Sequence, residues 1–362
     1  VVALLAACPA AAQDSAAGTF NTPLKTAMLD GEAFCQWVDG RQTPVPDSEA
    51  KNGPRDVVWT QEGRPEWRGI QFGDSRSPGV RHLQIGLTEA IPIGSVLVRG
   101  GGRLSVLKAD AEYPGDPARD ELWLAAQRLV EGRVANAEVD REGYSLWVLP
   151  PGTVTRALRF THEAKPTDRE PAGWLGGVWV LPQRMVNLAP QAIVTASARP
   201  EAAALVNDEN NNRTWQTWSN GDQGAASPIS ADNTEWLLLA WPRAVKLQGL
   251  CLLWTGFSAA QVDAFAGSPD ESPLAAPPAK WQRVAESDRL DAWYPLQFGP
   301  NWLDFGRAVE TRAVRIRITA GPKSNHPHLA DSVRQQRKVW LGELMALAPL
   351  ADAGLETAVL PR

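Results

Sequence analysis

Short stretches in which apolar and polar residues alternate recur through most of the chain. The clearest is Val314-Arg315-Ile316-Arg317-Ile318, and a period of two places its apolar side chains on one face of a strand. Turn-forming residues such as Gly100-Gly101-Gly102 and Pro150-Pro151-Gly152 separate these stretches. The pattern predicts an all-β antiparallel sandwich or jelly roll, with one weak helix over 120–132. An α/β fold is disfavoured because strands and helices do not alternate.

Two motifs recur in the same order along the chain. Thr155-Arg156-Ala157-Leu158-Arg159-Phe160 is echoed by Thr311-Arg312-Ala313-Val314-Arg315-Ile316, and Trp174-Leu175-Gly176 by Trp340-Leu341-Gly342. We therefore predict two tandem jelly-roll β-sandwiches with a seam near Pro190. The predicted divisions are an N-terminal segment 1–20, sandwiches 21–188 and 189–349, and a linker or tail 350–362. The residues expected to point into the cores are Leu158, Phe160, Val314, Ile316 and Ile318, with Arg159 and Arg315 outside.

The charge and the cysteines narrow the classes of function. A net charge of −5 without a Lys/Arg block disfavours nucleic acid or an anionic membrane as a partner. The chain has 16 Trp but only 3 Tyr and 8 Phe, which suits β-rich cores and stacking surfaces. Cys35 and Cys251 each lie in an apolar stretch and are expected to be buried free thiols.

The first twelve residues are apolar and small, and polar Gln13 and Asp14 follow them. This run is too short to span a bilayer, so no transmembrane span is predicted. It is typical of the rear of a secretory signal ending at Ala10-Ala11-Ala12, whose basic front part we expect to be missing. Leu5-Ala6-Ala7-Cys8 also resembles a lipobox, which would make Cys8 a lipid anchor. Either route predicts an exported protein, secreted, periplasmic or at the cell surface, and we expect it to continue beyond residue 362.

The second half carries a fuller set of motifs. An Asn/Asp-rich loop at 207–212 is followed by Thr214-Trp215 and Thr217-Trp218-Ser219, and the chain closes on Trp340-Leu341-Gly342-Glu343-Leu344. In this order the chain resembles the coagulation factor 5/8 type C family, also named discoidin or galactose-binding-like domains. The first half matches it less fully. The resemblance implies jelly rolls that bind ligands through loops at one end, as in the non-catalytic front parts of large exported bacterial proteins.

The Asn/Asp-rich loop supplies the oxygen ligands that calcium requires. Clustered Asn and Asp also build tight turns by bonding their own backbone, and the sequence leaves that alternative open. In the resembled family this loop often holds a structural calcium completed by a glutamate of the last strand. The resemblance thus implies a calcium site in the second sandwich from Asn207, Asp208, Thr214 and Glu343. The first half has Gly177 at the position of Glu343.

Sugar binding needs a flat aromatic platform beside polar groups. Three loops of the second half offer one: Trp254 with Phe257, Trp218 with Asn220, and Trp293 with Tyr294. We predict an exported, non-catalytic module that binds carbohydrate or a cell-surface glycan for a larger protein. The neighbouring domains of that longer chain are further candidate partners. The alternatives are a structural or protein-interaction role without sugar, and a glycan hydrolase. No Gly-x-Ser-x-Gly elbow or His-Glu-x-x-His helix supports catalysis.

Overall fold

The computed structural model describes residues 20–65, 68–73, 79–130, 133–135, 143–164, 173–209, 217–292, 299–324 and 327–355. This part of the chain is built from twenty antiparallel strands, short 3-10 turns and one four-residue helix, α1 (Asp331–Arg334). The all-β prediction is therefore confirmed. In the described ranges, none of the helices has the length and apolar character needed to cross a bilayer.

The first sandwich consists of two six-stranded sheets. The outer sheet has the order β2-β1-β4-β11-β6-β7, and the inner sheet, which faces the rest of the molecule, has the order β3-β12-β5-β10-β8-β9. The strands are β1 (Leu29–Val38), β2 (Arg41–Pro44), β3 (Ile70–Phe72), β4 (Gly79–Pro92), β5 (Ser95–Gly100), β6 (Arg103–Leu107), β7 (Trp123–Ala125), β8 (Gln127–Val130), β9 (Arg133–Ala135), β10 (Tyr144–Val148), β11 (Val154–Ala164) and β12 (Gly173–Leu181).

The second sandwich is one eight-stranded sheet that folds over on itself. Two long strands, β16 and β19, pair along their length, and two shifts of register divide their pairing into three parts. Such bulges bend a strand and let it contribute to both layers. The strands are β13 (Met185–Asn187), β14 (Ile193–Ala196), β15 (Trp218–Ser219), β16 (Glu235–Thr255), β17 (Ala259–Phe265), β18 (Trp281–Ser287), β19 (Asn301–Ala320) and β20 (Trp340–Pro349).

Each sandwich encloses its own apolar core. Leu158 and Phe160 of β11 lie in the first core, and alternate residues of β19 fill the second. All five predicted core residues are at most 1% exposed. Arg159 and Arg315 project from the faces opposite the core, as the alternation predicts, but Arg159 is buried there because the chain between β6 and β7 covers it.

A third apolar cluster joins the two sandwiches, and we name it the interface cluster. It consists of Phe20, Leu97, Tyr144, Leu146, Trp179, Leu181, Met185, Cys251, Leu253, Met345 and Leu347, with Trp59, Trp254 and Trp302 packed at its edge. Trp179 lies at its centre, with ring centroids 5.2 Å from Trp59 and 5.0 Å from Trp302. Alternate side chains of β5, β10 and β12 thus fill the first core on one side and this cluster on the other, which is why Arg99 is the one charged residue of these three strands.

Three sequence-based expectations change in detail. The helix predicted over 120–132 is wrong: a 3-10 turn is followed by β7 and β8, because β7 pairs with β6. The chain enters the second sandwich at β13, which pairs with β20, a few residues before the predicted seam. Leu350, placed in the predicted tail, is fully buried in the second core. Cys35 and Cys251 are buried free thiols, as predicted, while Cys8 lies outside the described residues.

Candidate ligand-binding site

The outer face of the outer sheet carries a block of polar side chains at its centre. Its register places Gln84, Arg159 and Ser105 in one row across β4, β11 and β6. His82, Thr161 and Arg103 form the next row on the same three strands. Because directly opposed residues share a face, six polar side chains are presented together while their neighbours fill the core.

The chain between β6 and β7 crosses over this face and leaves a cavity of about 550 Å³ beneath it. We name this space the sheet-face cavity. Its volume lies within the range typical of small-molecule sites. Its lining residues are Asp39, Gly40, Val80, His82, Arg103, Leu104, Ser105, Ala118, Asp120, Trp123, Ala125, Arg159 and Thr161.

Arg159 is a charged group of the cavity that several neighbouring groups hold in place. Its Nε donates to Ser105 Oγ at 2.8 Å, and its Nη1 donates to the carbonyl of Pro117 at 2.6 Å. The guanidinium lies 5.0 Å from the ring centre of Trp123, whose own Nε1 is held by the carbonyl of Asp116. Nη1 also pairs with Asp120 at 2.8 Å, but the side chain of Asp120 is 88% exposed. A solvent-exposed acid neutralises a buried guanidinium weakly, so Arg159 can still attract an anion into the cavity.

His82 supplies a neutral polar group beside it. Its Nδ1 lies 3.0 Å from Thr161 Oγ1, and the residue is buried. Burial, and secondarily the charge of Arg159, lower the pKa of His82 to about 4. The ring is therefore uncharged at neutral pH and can exchange hydrogen bonds with a hydroxyl group.

The aromatic platforms predicted in the second sandwich take other positions. Trp218 and Phe257 are fully buried in the second core, so neither presents a face to solvent, and their assignment to an exposed platform is wrong. Asn220 is buried and bonds Glu235 and the backbone of Arg337 and Val339. Trp254 packs edge-on against Tyr144 in the interface cluster. Trp293 and Tyr294 lie outside the described residues. We expected exposed loop tips where these apolar strands end. The opposing layer of the structure covers those strand ends instead.

Of the four residues expected to bind calcium, the structure describes three. Asn207 is buried and its amide donates to the carbonyls of Ala189 and Ala192, which is the turn-building role. Thr214 lies outside the described residues, among which no group of three or more His, Cys, Asp or Glu is arranged to hold a metal. Glu343, however, is fully buried, and among the described residues neither of its carboxyl oxygens has a hydrogen-bond partner of normal geometry.

The surroundings of Glu343 favour a cation or a proton there. Burial and then the charges of Asp208 and Glu209 hold the pKa of Glu343 well above its usual value, and the backbone N–H of Glu209 offsets only part of this rise. A buried carboxylate with two unpaired oxygens is costly unless it is protonated or paired. Carboxylate oxygens are ligands that calcium prefers, so a cation at Glu343 would remove this cost as a proton would.

Sequence reasoning missed the sheet-face cavity because its residues are far apart along the chain. The alternation around Arg159 placed that side chain outside the core, and this was the one available signal. Trp123 lay inside the mistaken helix, and the row that joins His82 to Thr161 depends on the pairing of β4 with β11.

No protein-family model matches this sequence, and no curated protein does. Among solved structures, the chain is similar to a fucolectin from striped bass serum (12% identity, 75% of this chain and 83% of that chain, TM-score 0.30). It is similar to a family 32 carbohydrate-binding module from Clostridium perfringens NanJ in complex with galactose (13%, 45% and 99%, TM-score 0.31). It is also similar to a Ruminococcus gnavus GH29 fucosidase (13%, 46%, TM-score 0.31), of which the match spans 27%. These neighbours accord with the predicted resemblance, but at such TM-scores they carry no argument about what this chain binds.

Proposed function

We propose that this chain is a non-catalytic module that binds carbohydrate in the sheet-face cavity of its first sandwich. The observation that supports this most is the cavity's lining, in which hydrogen-bonding side chains are fixed by sheet register next to apolar Trp123, Ala118 and Ala125. A sugar ring offers hydroxyl groups and a C–H face, and this combination of polar and apolar surface is complementary to both.

The carboxylates of the cavity argue against glycoside hydrolysis. Asp39 and Asp120 both line it, and both are exposed to solvent. A glycosidase needs one carboxyl group kept protonated by an apolar environment, opposite a second one. Neither residue has such an environment, so we propose binding without turnover.

The binding proposal is tested by saccharide retention on a glycan array. Arg103 is exposed at the cavity, so Arg103→Ala removes a ligand contact without removing core packing. Affinity for the retained saccharide should fall roughly tenfold, which corresponds to one charge-assisted hydrogen bond. Arg307→Ala, at an exposed position of β19, is the matched control and should bind normally. Equal binding by both variants, or hydrolysis of the retained saccharide, would contradict the proposal.

We also propose a structural calcium ion at Glu343 in the second sandwich. It would link the loop at Asp208 to β20 and supply the charge that the buried carboxylate lacks. Calcium at about 100 times its dissociation constant should stabilise the fold by about 2.7 kcal/mol, because it binds only the folded state. Protein freed of metal should melt lower, and Glu343→Gln should not respond to calcium. A wild-type melting temperature that is insensitive to calcium and chelator excludes the site.

Export and attachment to a larger protein remain part of the proposal. Export is supported by the apolar run Val1 to Ala12, with Cys8 as the alternative lipid anchor. These residues lie outside the described ranges.

A further inference from the structure

The two sandwiches contain the same arginine-on-tryptophan pair at matching positions. Arg159 of β11 lies over Trp123, and Arg315 of β19 lies over Trp281 at 4.5 Å from its centroid. Both arginines stand four residues after a threonine whose hydroxyl bonds the neighbouring strand, to Leu107 in one case and to Phe265 in the other. The outer faces of the two sandwiches can therefore be compared residue by residue.

The comparison shows one decisive difference. The cross-strand partner of Arg315 on β17 is Asp263, whereas the partner of Arg159 on β6 is Ser105. Asp263 is buried, with 6% of its side chain exposed, and accepts from Arg283 at 2.7 Å and Arg317 at 2.9 Å. The second sandwich thus carries an internal carboxylate at this position, and the first does not.

The internal carboxylate is well matched to its surroundings. Burial alone would raise the pKa of Asp263, but the guanidinium groups outweigh it and hold that pKa below its usual range. Apolar residues cover this face of the second sandwich, where Leu238, Phe265 and Ala313 form a small cluster with Trp281. The equivalent face of the first sandwich carries a similar small cluster of Leu107, Trp123 and Ala157, with the sheet-face cavity beside it.

We propose that the sheet-face cavity binds an acidic saccharide, whose carboxylate takes beside Arg159 the role that Asp263 has beside Arg315. This inference rests on the proposed function and names the class of sugar. Arg159 is anchored through Nε and Nη1 and stacked on Trp123, so it is oriented in advance for a carboxylate. Arg103 adds a second positive charge, and neutral His82 and Thr161 face the hydroxyl groups of the sugar.

Two negative charges oppose such a ligand and must be outweighed. Asp120 pairs with Arg159 from the solvent side, and Asp39 lies at the rim. Both are exposed, so water and salt screen their repulsion more than they screen a contact inside the cavity. Removing Asp120 should therefore strengthen the binding of an acidic sugar selectively.

The test is calorimetric titration of the whole chain with glucuronic acid, glucose and acetate. Wild-type protein should bind glucuronic acid roughly tenfold to hundredfold more tightly than glucose, the range of one or more charged hydrogen bonds. Acetate should bind no better than glucose, because a free anion lacks the hydroxyl contacts. Ser105→Asp places the carboxylate of the second sandwich in the first and should remove the preference for glucuronic acid. Asp120→Asn, at an exposed position, should raise the affinity for glucuronic acid by a larger factor than the affinity for glucose.

The outcomes separate this inference from the proposed function. Equal binding of glucose and glucuronic acid, unaffected by Ser105→Asp, would overturn the acidic preference and keep the sugar site. Tight acetate binding would show a simple anion site and also overturn it. Binding of neither sugar, with array binding absent too, would refute the proposed function itself. If Ser105→Asp fails to fold, Asp120→Asn alone decides the question, and an unchanged glucuronic acid affinity then contradicts the inference.

Discussion

His82 shows how burial sets the chemistry of a single residue in the cavity. Its pKa is lowered from an ordinary value of about 6.5 to about 4, so the folded protein resists its protonation. The stability contributed by neutral His82 is therefore complete above about pH 6.5 and is lost as pH falls toward 4. His82→Gln should reduce the fall in melting temperature between pH 7 and pH 4.5. His328→Gln, in an exposed loop, is the control, and an equal effect of both would contradict the assignment.

The pKa of Glu343 is shifted in the direction opposite to that of His82. Its pKa is raised in the folded state, so metal-free protein should lose stability as pH rises above the ordinary value of about 4.3. Glu343→Gln keeps the shape of the side chain without the charge and should flatten this dependence. The measurement is chemical denaturation of chelator-treated protein at pH 5 and pH 8. Parallel pH profiles for wild type and variant would show that Glu343 is not the group that titrates.

At the scale of elements, matching threonine clamps hold β11 and β19 to their neighbours. Thr155 Oγ1 donates to the carbonyl of Leu107 at 2.8 Å and accepts from the N–H of Ala157, beside a shift of register with β4. Thr311 makes the same bonds to Phe265 and Ala313. We propose that the two strands are copies of one ancestral element, because both sequence and hydrogen bonding repeat.

Thr155→Val tests the clamp, since valine keeps the shape and removes the hydroxyl. Buried backbone groups lose a partner, and the free energy of unfolding should fall by about 1–3 kcal/mol. Thr43→Val, on the exposed edge strand β2, should change it little. Denaturant unfolding of both variants measures the difference, and equal small effects would show that the clamp is unimportant.

The elements also show where sequence reasoning succeeds. The repeated Thr-Arg-Ala strands were predicted correctly, because period-two alternation is a local property and reports the buried face directly. The segment that became β7 was mistaken for a helix, because its pairing with β6 is decided by contacts distant in sequence. Trp218 was taken for a loop-tip platform for the same reason, since its burial depends on the opposing layer.

At the scale of the whole molecule, the interface cluster makes the two sandwiches one packed unit. Trp302 of β19 contacts Trp179 of β12 and Phe20, and an ion pair joins Arg64 to Asp291 across the same boundary. The described chain is thus a stack of layers with the sheet-face cavity on the side away from the interface. A ligand can reach the cavity without any change in the contact between sandwiches.

We expect wild-type protein to unfold in a single transition because of this contact. Trp302→Ala should weaken the contact between the sandwiches and separate their unfolding. Because Trp302 is only partly buried, the loss should be smaller than the roughly 3–5 kcal/mol of a fully buried aromatic. Differential scanning calorimetry would then record two peaks. Trp236→Ala, at a partly buried position away from the interface, should keep one peak, and one peak in both variants would contradict an interface that couples the sandwiches.

The most direct test of the sheet-face cavity as the binding site is a crystal structure of the protein with glucuronic acid. We expect the sugar on the outer face of the first sandwich, with its carboxylate roughly 3 Å from the guanidinium of Arg159 and its hydroxyl groups near His82 and Thr161. A sugar bound at the loops of the second sandwich, with the cavity holding only solvent, would contradict it.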